Sequence, residues 1–312
     1  MGRYRQMNDT MEIPVVGGGS HRAARNPGLW ILAMLVLAGL FGVAYWAFVL
    51  TPTGQQADDN ALRGAISFVN EGRTRSAAVS FLNELPLVSG GIALLALLTA
   101  AIVRRSLYAP LVAALAFGAA AGSTQLLKHL VLTRPDMGIS EATMNSFPSG
   151  HTTVATSALI AVFLVTSPRW RPLIATCGGL YAAVTGISTF ALGWHRPSDI
   201  VAAYLVAGFW GLLAWLVILR RQPSWNCWDG PDAFWASSGT WPTLLWFPGV
   251  VGFIGAVGVY FFVSQLGPTA GTTEQNWFLV SGALLVIGAA GCLFGLLCGV
   301  FSHQTRRRGR WR

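Results

Sequence analysis

Three short polar stretches interrupt an otherwise apolar chain, and together they hold the residue types that phosphoryl transfer needs. Lys128 to Pro135 reads KHLVLTRP, Pro148 to His151 reads PSGH, and Ser188 to Asp199 reads STFALGWHRPSD. Two cations, two histidines and a carboxylate supply charge to hold a phosphate, a nucleophile and an acid. Taken singly, each has an ordinary explanation. Lys128 and Arg134 suit snorkelling interface residues, Ser149 a helix cap, and Asp199 a first-turn acid favoured by the helix dipole. The combination is harder to obtain by accident, because average glycine and proline usage makes a chance PSGH in a chain of this length a matter of about one in a thousand.

These stretches must be brought to one place by membrane helices. The 312 residues are 53% hydrophobic and 11% charged, against about one-quarter charged in a soluble domain. Apolar runs near 29–50, 86–103, 108–127, 151–167, 172–192, 198–219, 242–265 and 277–301 approach the roughly 20 residues that cross a hydrocarbon core of about 30 Å. The fold class expected is therefore all-α, a polytopic transmembrane helix bundle. With eight crossings and the N-terminus inside, fifteen of the 21 Lys and Arg residues fall on the cytoplasmic side and six on the other, the orientation selected by the positive-inside rule. Both termini are then cytoplasmic, and all three polar stretches reach the outer face of the plasma membrane.

The same topology accounts for the net charge of +9 without a nucleic-acid partner. No signal peptide is expected, since the first apolar run starts after a polar segment and is too long for one. Residues 1–28 read as a disordered cytoplasmic tail, 29–220 as a six-helix core, 221–240 as a cytoplasmic loop, 241–301 as two further transmembrane helices, and 302–312 as a basic tail. The polar stretch 51–85 fits a short interfacial helix and an exposed loop equally well. Glycines at three- and four-residue spacing in the last two spans, Gly249 to Gly258 and Gly288 to Gly299, suit close packing of those helices on each other or, less readily, on a second copy in a homo-oligomer. Those two helices carry no ionisable residue in their interiors and are assigned no chemistry. The four cysteines form no CxxC pair, so neither a disulfide framework nor a zinc site is expected.

The three stretches resemble the signatures of the type 2 phosphatidic acid phosphatase superfamily, K-x6-R-P, P-S-G-H and S-R-x5-H-x3-D. PSGH matches throughout. Ser188, His195 and Asp199 keep the spacing of the third signature, with Thr189 in the place of its arginine, and five residues rather than six separate Lys128 from Arg134. The resemblance covers roughly residues 86–220, the first span completing the six-helix core. It implies an integral membrane lipid phosphatase in which His195 is the nucleophile, His151 the general acid and Asp199 the partner of the His195 ring. Lys128, Arg134, Ser149, Gly150 and Ser188 would bind phosphate, with no metal and no other cofactor.

The implied partners are membrane lipids and a lipid-phosphate substrate: phosphatidate, phosphatidylglycerophosphate or a polyprenyl phosphate or diphosphate. A lipid phosphotransferase and a catalytically weak or silent lipid-phosphate-binding or transport protein are the alternatives. Thr189 supports the latter, since exchanging a guanidinium for a hydroxyl removes a charge-assisted contact of about 1.5–3 kcal/mol. The missing residue before Arg134 would turn Lys128 by about 100° along a continuous helix. Pro135 makes a non-helical connection the expected solution.

Overall fold

The computed structural model describes residues 27–68, 73–140, 144–228, 235–265, 271–304 and 306–307. Almost all of the tail expected over 1–28, and most of 302–312, lie outside them. Among the described residues nine α-helices form in chain order: α1 (Pro27–Val49), α2 (Pro52–Phe68), α3 (Arg73–Arg104), α4 (Tyr108–Leu126), α5 (Gly150–Val165), α6 (Arg171–Ala191), α7 (Pro197–Arg221), α8 (Thr240–Gln265) and α9 (Gly271–Gln304). The only extended pairing among them is a two-residue parallel bridge that sets Cys227 beside Arg306 and Trp228 beside Arg307.

The chain is an all-α polytopic bundle, in which seven helices are long and apolar enough to cross a bilayer: α1, α3, α4, α6, α7, α8 and α9. The span expected over 151–167 is shorter. Helix α5 has 16 residues, about 24 Å at 1.5 Å per residue, and its N-cap Ser149 is fully buried. The loop that enters α5 is folded into the bundle instead of lying on its surface. The span expected to start at residue 86 begins at Arg73 instead. Pro86 lies inside α3, where packed membrane helices tolerate the missing N–H.

Within the stretch 51–85, residues 52–68 form a helix and not an exposed loop. Helix α2 buries Ala61, Leu62 and Ala65 together with Gln55, Asp58 and Asp59, and packs on α9, α1 and α7. The glycines of α8 and α9 pack on each other within the chain. A Cβ on Gly291 would stand 2.6 Å from the Leu245 carbonyl oxygen, and one on Gly288 would stand 2.7 Å from the Phe253 nitrogen. Helix α9 then runs along α6 and α7, where Gly178 leaves room for the Phe294 ring, 2.7 Å from where its Cβ would be. Near the far end Phe301 stacks on Trp215 with centroids 4.5 Å apart, and the Arg171 guanidinium lies 4.4 Å from the same indole.

Candidate active site

The three polar stretches meet at one end of the bundle, where α4 unwinds, α5 begins and α6 turns into α7. Helix α4 ends in a single π turn, Leu127–Val131, closed by the Leu132 N–H on the Leu127 carbonyl at 2.8 Å. The backbone is extended from Leu132 onward, so Lys128 and Arg134 are joined by a turn and a non-helical segment, as Pro135 suggested. Helix ends leave carbonyls without partners. Here the Asn145 amide reaches those of Lys128, Leu132 and Phe147 at 3.2, 3.0 and 3.3 Å.

Helix α6 stops at Gly193, whose φ of +74° is the left-handed conformation that ends a helix at low cost only for glycine. The chain folds back there, and the N–H groups of Trp194 and His195 both donate to the Thr189 carbonyl, at 3.0 and 3.3 Å. His195 is thereby held just ahead of α7. Pro197 occupies the first turn of α7, where its missing N–H costs nothing. Asp199 sits in the same turn and is fully buried.

The Asp199 carboxylate organises what surrounds it. Its Oδ2 accepts from Ser146 Oγ at 2.6 Å and from the Arg196 N–H at 3.0 Å, and faces His195 Nδ1 at 3.4 Å. The Asp199 carbonyl accepts the Ser149 N–H at 2.9 Å, which fastens the start of α5 to the start of α7. The Ser149 hydroxyl is engaged with Thr152, donating to Oγ1 at 3.0 Å and accepting the N–H at 3.4 Å. It caps α5, whose first residue is Gly150. His151 packs its ring against Trp194, centroids 5.4 Å apart, and has His195 and Lys128 as its charged neighbours.

The two expected cations are divided. Lys128, half-buried, lies on the His151 side. Arg134 lies on the Asp199 side, its side chain 3% exposed. Arg134 has Asp58 Oδ2 at 3.9 Å and Arg196 and Asp199 as further charged neighbours. Burial, reinforced by Arg196, lowers its pKa, with Asp199 and Asp58 opposing. None of its three guanidinium nitrogens has a hydrogen-bond partner among the described residues, and neither has Asp199 Oδ1. Buried donors are almost always paired, so an arginine with none of its donors hydrogen-bonded is suited to receive an anion.

Ser188 and Thr189 contribute less than the spacing implied. The Ser188 carbonyl accepts the Leu192 N–H at 3.1 Å, and no hydrogen bond joins the Ser188 hydroxyl to the cluster among the described residues. Thr189 is fully buried and returns its hydroxyl to the Gly186 carbonyl at 2.8 Å, so the position of the family arginine points no donor at a phosphate. Arg196 does not replace it directly. Its guanidinium is held by Ser146 Oγ at 3.1 Å and Ser140 Oγ at 2.5 Å.

Sequence reasoning did not find Asp58. Its carboxylate, brought in by α2, accepts the Ser198 N–H at 3.3 Å and the Ser198 hydroxyl. Burial, with Asp199 nearby, pushes its pKa from 3.8 up to about 7, while Ser198, Arg134 and Arg196 oppose the rise. Between these two values the unfolded chain gives up a proton that the folded chain keeps, so the contribution of Asp58 to stability falls as pH rises from 3.8 to about 7. Asp58→Asn has no such proton. Its melting temperature in detergent relative to wild type should climb across that window and level off above it. A difference that stays flat or runs the other way would mean that Asp58 is ionised throughout.

Comparison with known proteins follows the same residues. The family model of the PAP2 superfamily matches residues 107–223, from the start of α4 to just past α7, a segment containing all three polar stretches. A lipid A 1-phosphatase of Rhizobium etli is 35% identical over 79 residues, 25% of this chain and 32% of that protein. One of Rhizobium johnstonii is 35% identical over 75 residues, 24% and 29% respectively. The chain thus spans about a third of the length of these curated relatives. No solved structure gives a significant match. Residues 107–223, which carry both histidines, Asp199 and Arg134, are thus similar to the PAP2 superfamily.

Proposed function

We propose that the protein is an integral membrane lipid phosphatase that works through a phosphohistidine on His195. The observation that carries this reading is the contact of His195 Nδ1 with the buried Asp199 carboxylate, near an arginine whose guanidinium has no hydrogen-bond partner among the described residues. A carboxylate on Nδ1 fixes the tautomer that leaves the Nε2 lone pair free, and it stabilises the ring when it becomes charged. Nε2 attacks phosphorus, the bond to the lipid oxygen breaks, and His151 gives that oxygen a proton. Water then attacks the phosphohistidine, with His151 taking its proton, and inorganic phosphate leaves.

Lys128, Arg134 and the Gly150 N–H neutralise the charge that develops on the phosphoryl oxygens, with Ser188 as a weaker contributor. Hydrolysis in this scheme continues in the presence of a chelator, because these groups take the role a metal would fill. The substrate is a phosphate or diphosphate ester of a lipid, the site lying among the ends of membrane helices. Phosphatidate, phosphatidylglycerophosphate and polyprenyl phosphates fit this description, and the name of the Rhizobium relatives adds the 1-phosphate of lipid A. Thr189, whose hydroxyl is turned back on its own helix, favours as a second reading a silent lipid-phosphate-binding protein.

Phosphate release separates the two readings and the two histidines. His195→Ala should abolish turnover on every substrate. His151→Ala should lose about 10²–10⁴-fold on an alkyl phosphate and much less on p-nitrophenyl phosphate, whose leaving group needs no proton. Equal losses on both esters would show the acid to be misassigned, and a wild-type protein that binds lipid phosphates without releasing phosphate would favour the silent reading. The proposed location is the plasma membrane with both termini cytoplasmic and the site outside. Met144, 80% exposed in the loop before α5, provides the check. Met144→Cys, in a chain cleared of its four native cysteines, should react with an impermeant thiol reagent in intact cells. Labelling only after lysis would reverse the topology.

A further inference from the structure

A long apolar groove lies on the flank of α7 away from the His151 ring. Its volume is about 860 Å³, and its walls come from α1, α2, α7, α8 and α9. Four of these helices, α1, α2, α8 and α9, lie outside the segment matched by the superfamily model. Small side chains keep the groove open, among them Ala57 on α2 and Ala289 on α9. Helix α1 packs on α7 and α2, whereas α8 packs on α9 and α6, so α7 and α9 form the floor between two separated rims. Val43 on one rim and Phe261 on the other line the groove while more than half exposed. The groove therefore opens sideways.

Depth and polarity define what fits there. On α9 the lining runs from Phe278 to Leu296, about 27 Å of helix, close to the full thickness of a hydrocarbon core of about 30 Å. Its charged lining residue is Asp58, which stands with Ser198 at the end where α7 begins. Ser198 is three residues beyond His195, and the Asp58 carboxylate that bonds Ser198 also lies 3.9 Å from Arg134. An acid at the mouth does not favour a phosphate inside the groove. An amphiphile whose tail fills the groove would instead carry its head out at the level of the first turn of α7, where His195, Asp199 and Arg134 stand.

We propose that this groove holds the hydrocarbon tail of the lipid-phosphate substrate, entering sideways from the bilayer between α1 and α8. The proposal rests on the phosphatase reading given above. It assigns α8 and α9 a part in substrate selection: they form the far wall of a tail site, and chains long enough to occupy it gain binding energy that short chains lack. Gly282 of α9 joins that wall to the catalytic end, since a Cβ there would meet Phe190 and Pro197 at 2.8 and 2.9 Å. Only glycine lets α9 come so close to the turn that holds His195.

The test narrows the groove far from the catalytic residues, with Ala289→Phe on the floor and Val257→Trp on the exposed α8 rim. Phosphate release from a long-chain and a short-chain phosphatidate is followed in detergent. Both variants should lose about tenfold or more in kcat/KM on the long-chain lipid, the scale of discrimination an apolar pocket provides. Both should stay within about twofold of wild type on the short-chain one, as a tail pocket makes no contact with the reacting phosphate. Unchanged long-chain activity in both variants overturns the proposal. So does an equal loss on the two lipids by Val257→Trp, which sits on an exposed rim where a larger side chain displaces no buried neighbour. A wild-type protein that releases phosphate from neither of these lipids, nor from phosphatidylglycerophosphate, a polyprenyl diphosphate or lipid A, overturns the phosphatase reading itself, and the tail site with it.

Discussion

A carboxylate buried in the first turn of a membrane helix must find partners for its charge, and at Asp199 that requirement shapes the whole end of the bundle. Taking a carboxylate out of water costs several kcal/mol unless hydrogen bonds and opposite charges offset the loss. Here Ser146 Oγ and the Arg196 N–H supply two bonds at 2.6 and 3.0 Å, and the guanidinium of Arg134 stands close by. Each partner belongs to a different stretch of chain. Satisfying one charge therefore draws the loop before α5 onto α7, while the backbone bond from Ser149 to Asp199 ties down the helix that carries His151. The imidazole of His195 faces the same oxygen. Its orientation follows from the packing and requires no substrate.

A second buried acid extends the arrangement. Asp58 reaches Ser198 from α2, across 140 residues of sequence, and lies 3.9 Å from Arg134. Two carboxylates and two guanidiniums thus share one enclosed region. Lys128 and His151 are half-buried, whereas His195 is 7% exposed. Arg134 is surrounded by charge, yet none of its donors has a hydrogen-bond partner among the described residues.

Much of this was legible in the sequence because it is written in local spacing or in bulk hydropathy. PSGH places a cap, a helix start and a histidine in four consecutive residues, and His195 to Asp199 is one turn of helix. The long apolar runs follow directly from the thickness of a bilayer. What could not be read depends on contacts between distant residues. Helix α2 looks like a solvated polar stretch because its buried acids are matched by Ser198 and Arg134, far along the chain. The segment from Leu127 to Arg134 holds a π turn whose sequence, LKHLV, carries no special mark. Thr189 retains the spacing of the family arginine but turns its hydroxyl into its own helix, a choice that only the packing around Gly186 reveals.

The chemistry attributed to the site depends on which nitrogen of which histidine is free. With Nδ1 of His195 on Asp199, phosphorus can be captured only at Nε2, so the most direct measurement is the position of the phosphate in the trapped intermediate. Rapid mixing with a lipid phosphate, quenching in alkali to preserve phosphohistidine, and mass spectrometry with phosphorus NMR of the digested protein would locate it. The account predicts one phosphate on Nε2 of His195. A phosphate on His151 or on Nδ1 of His195, or turnover with no phosphohistidine at all, would contradict it.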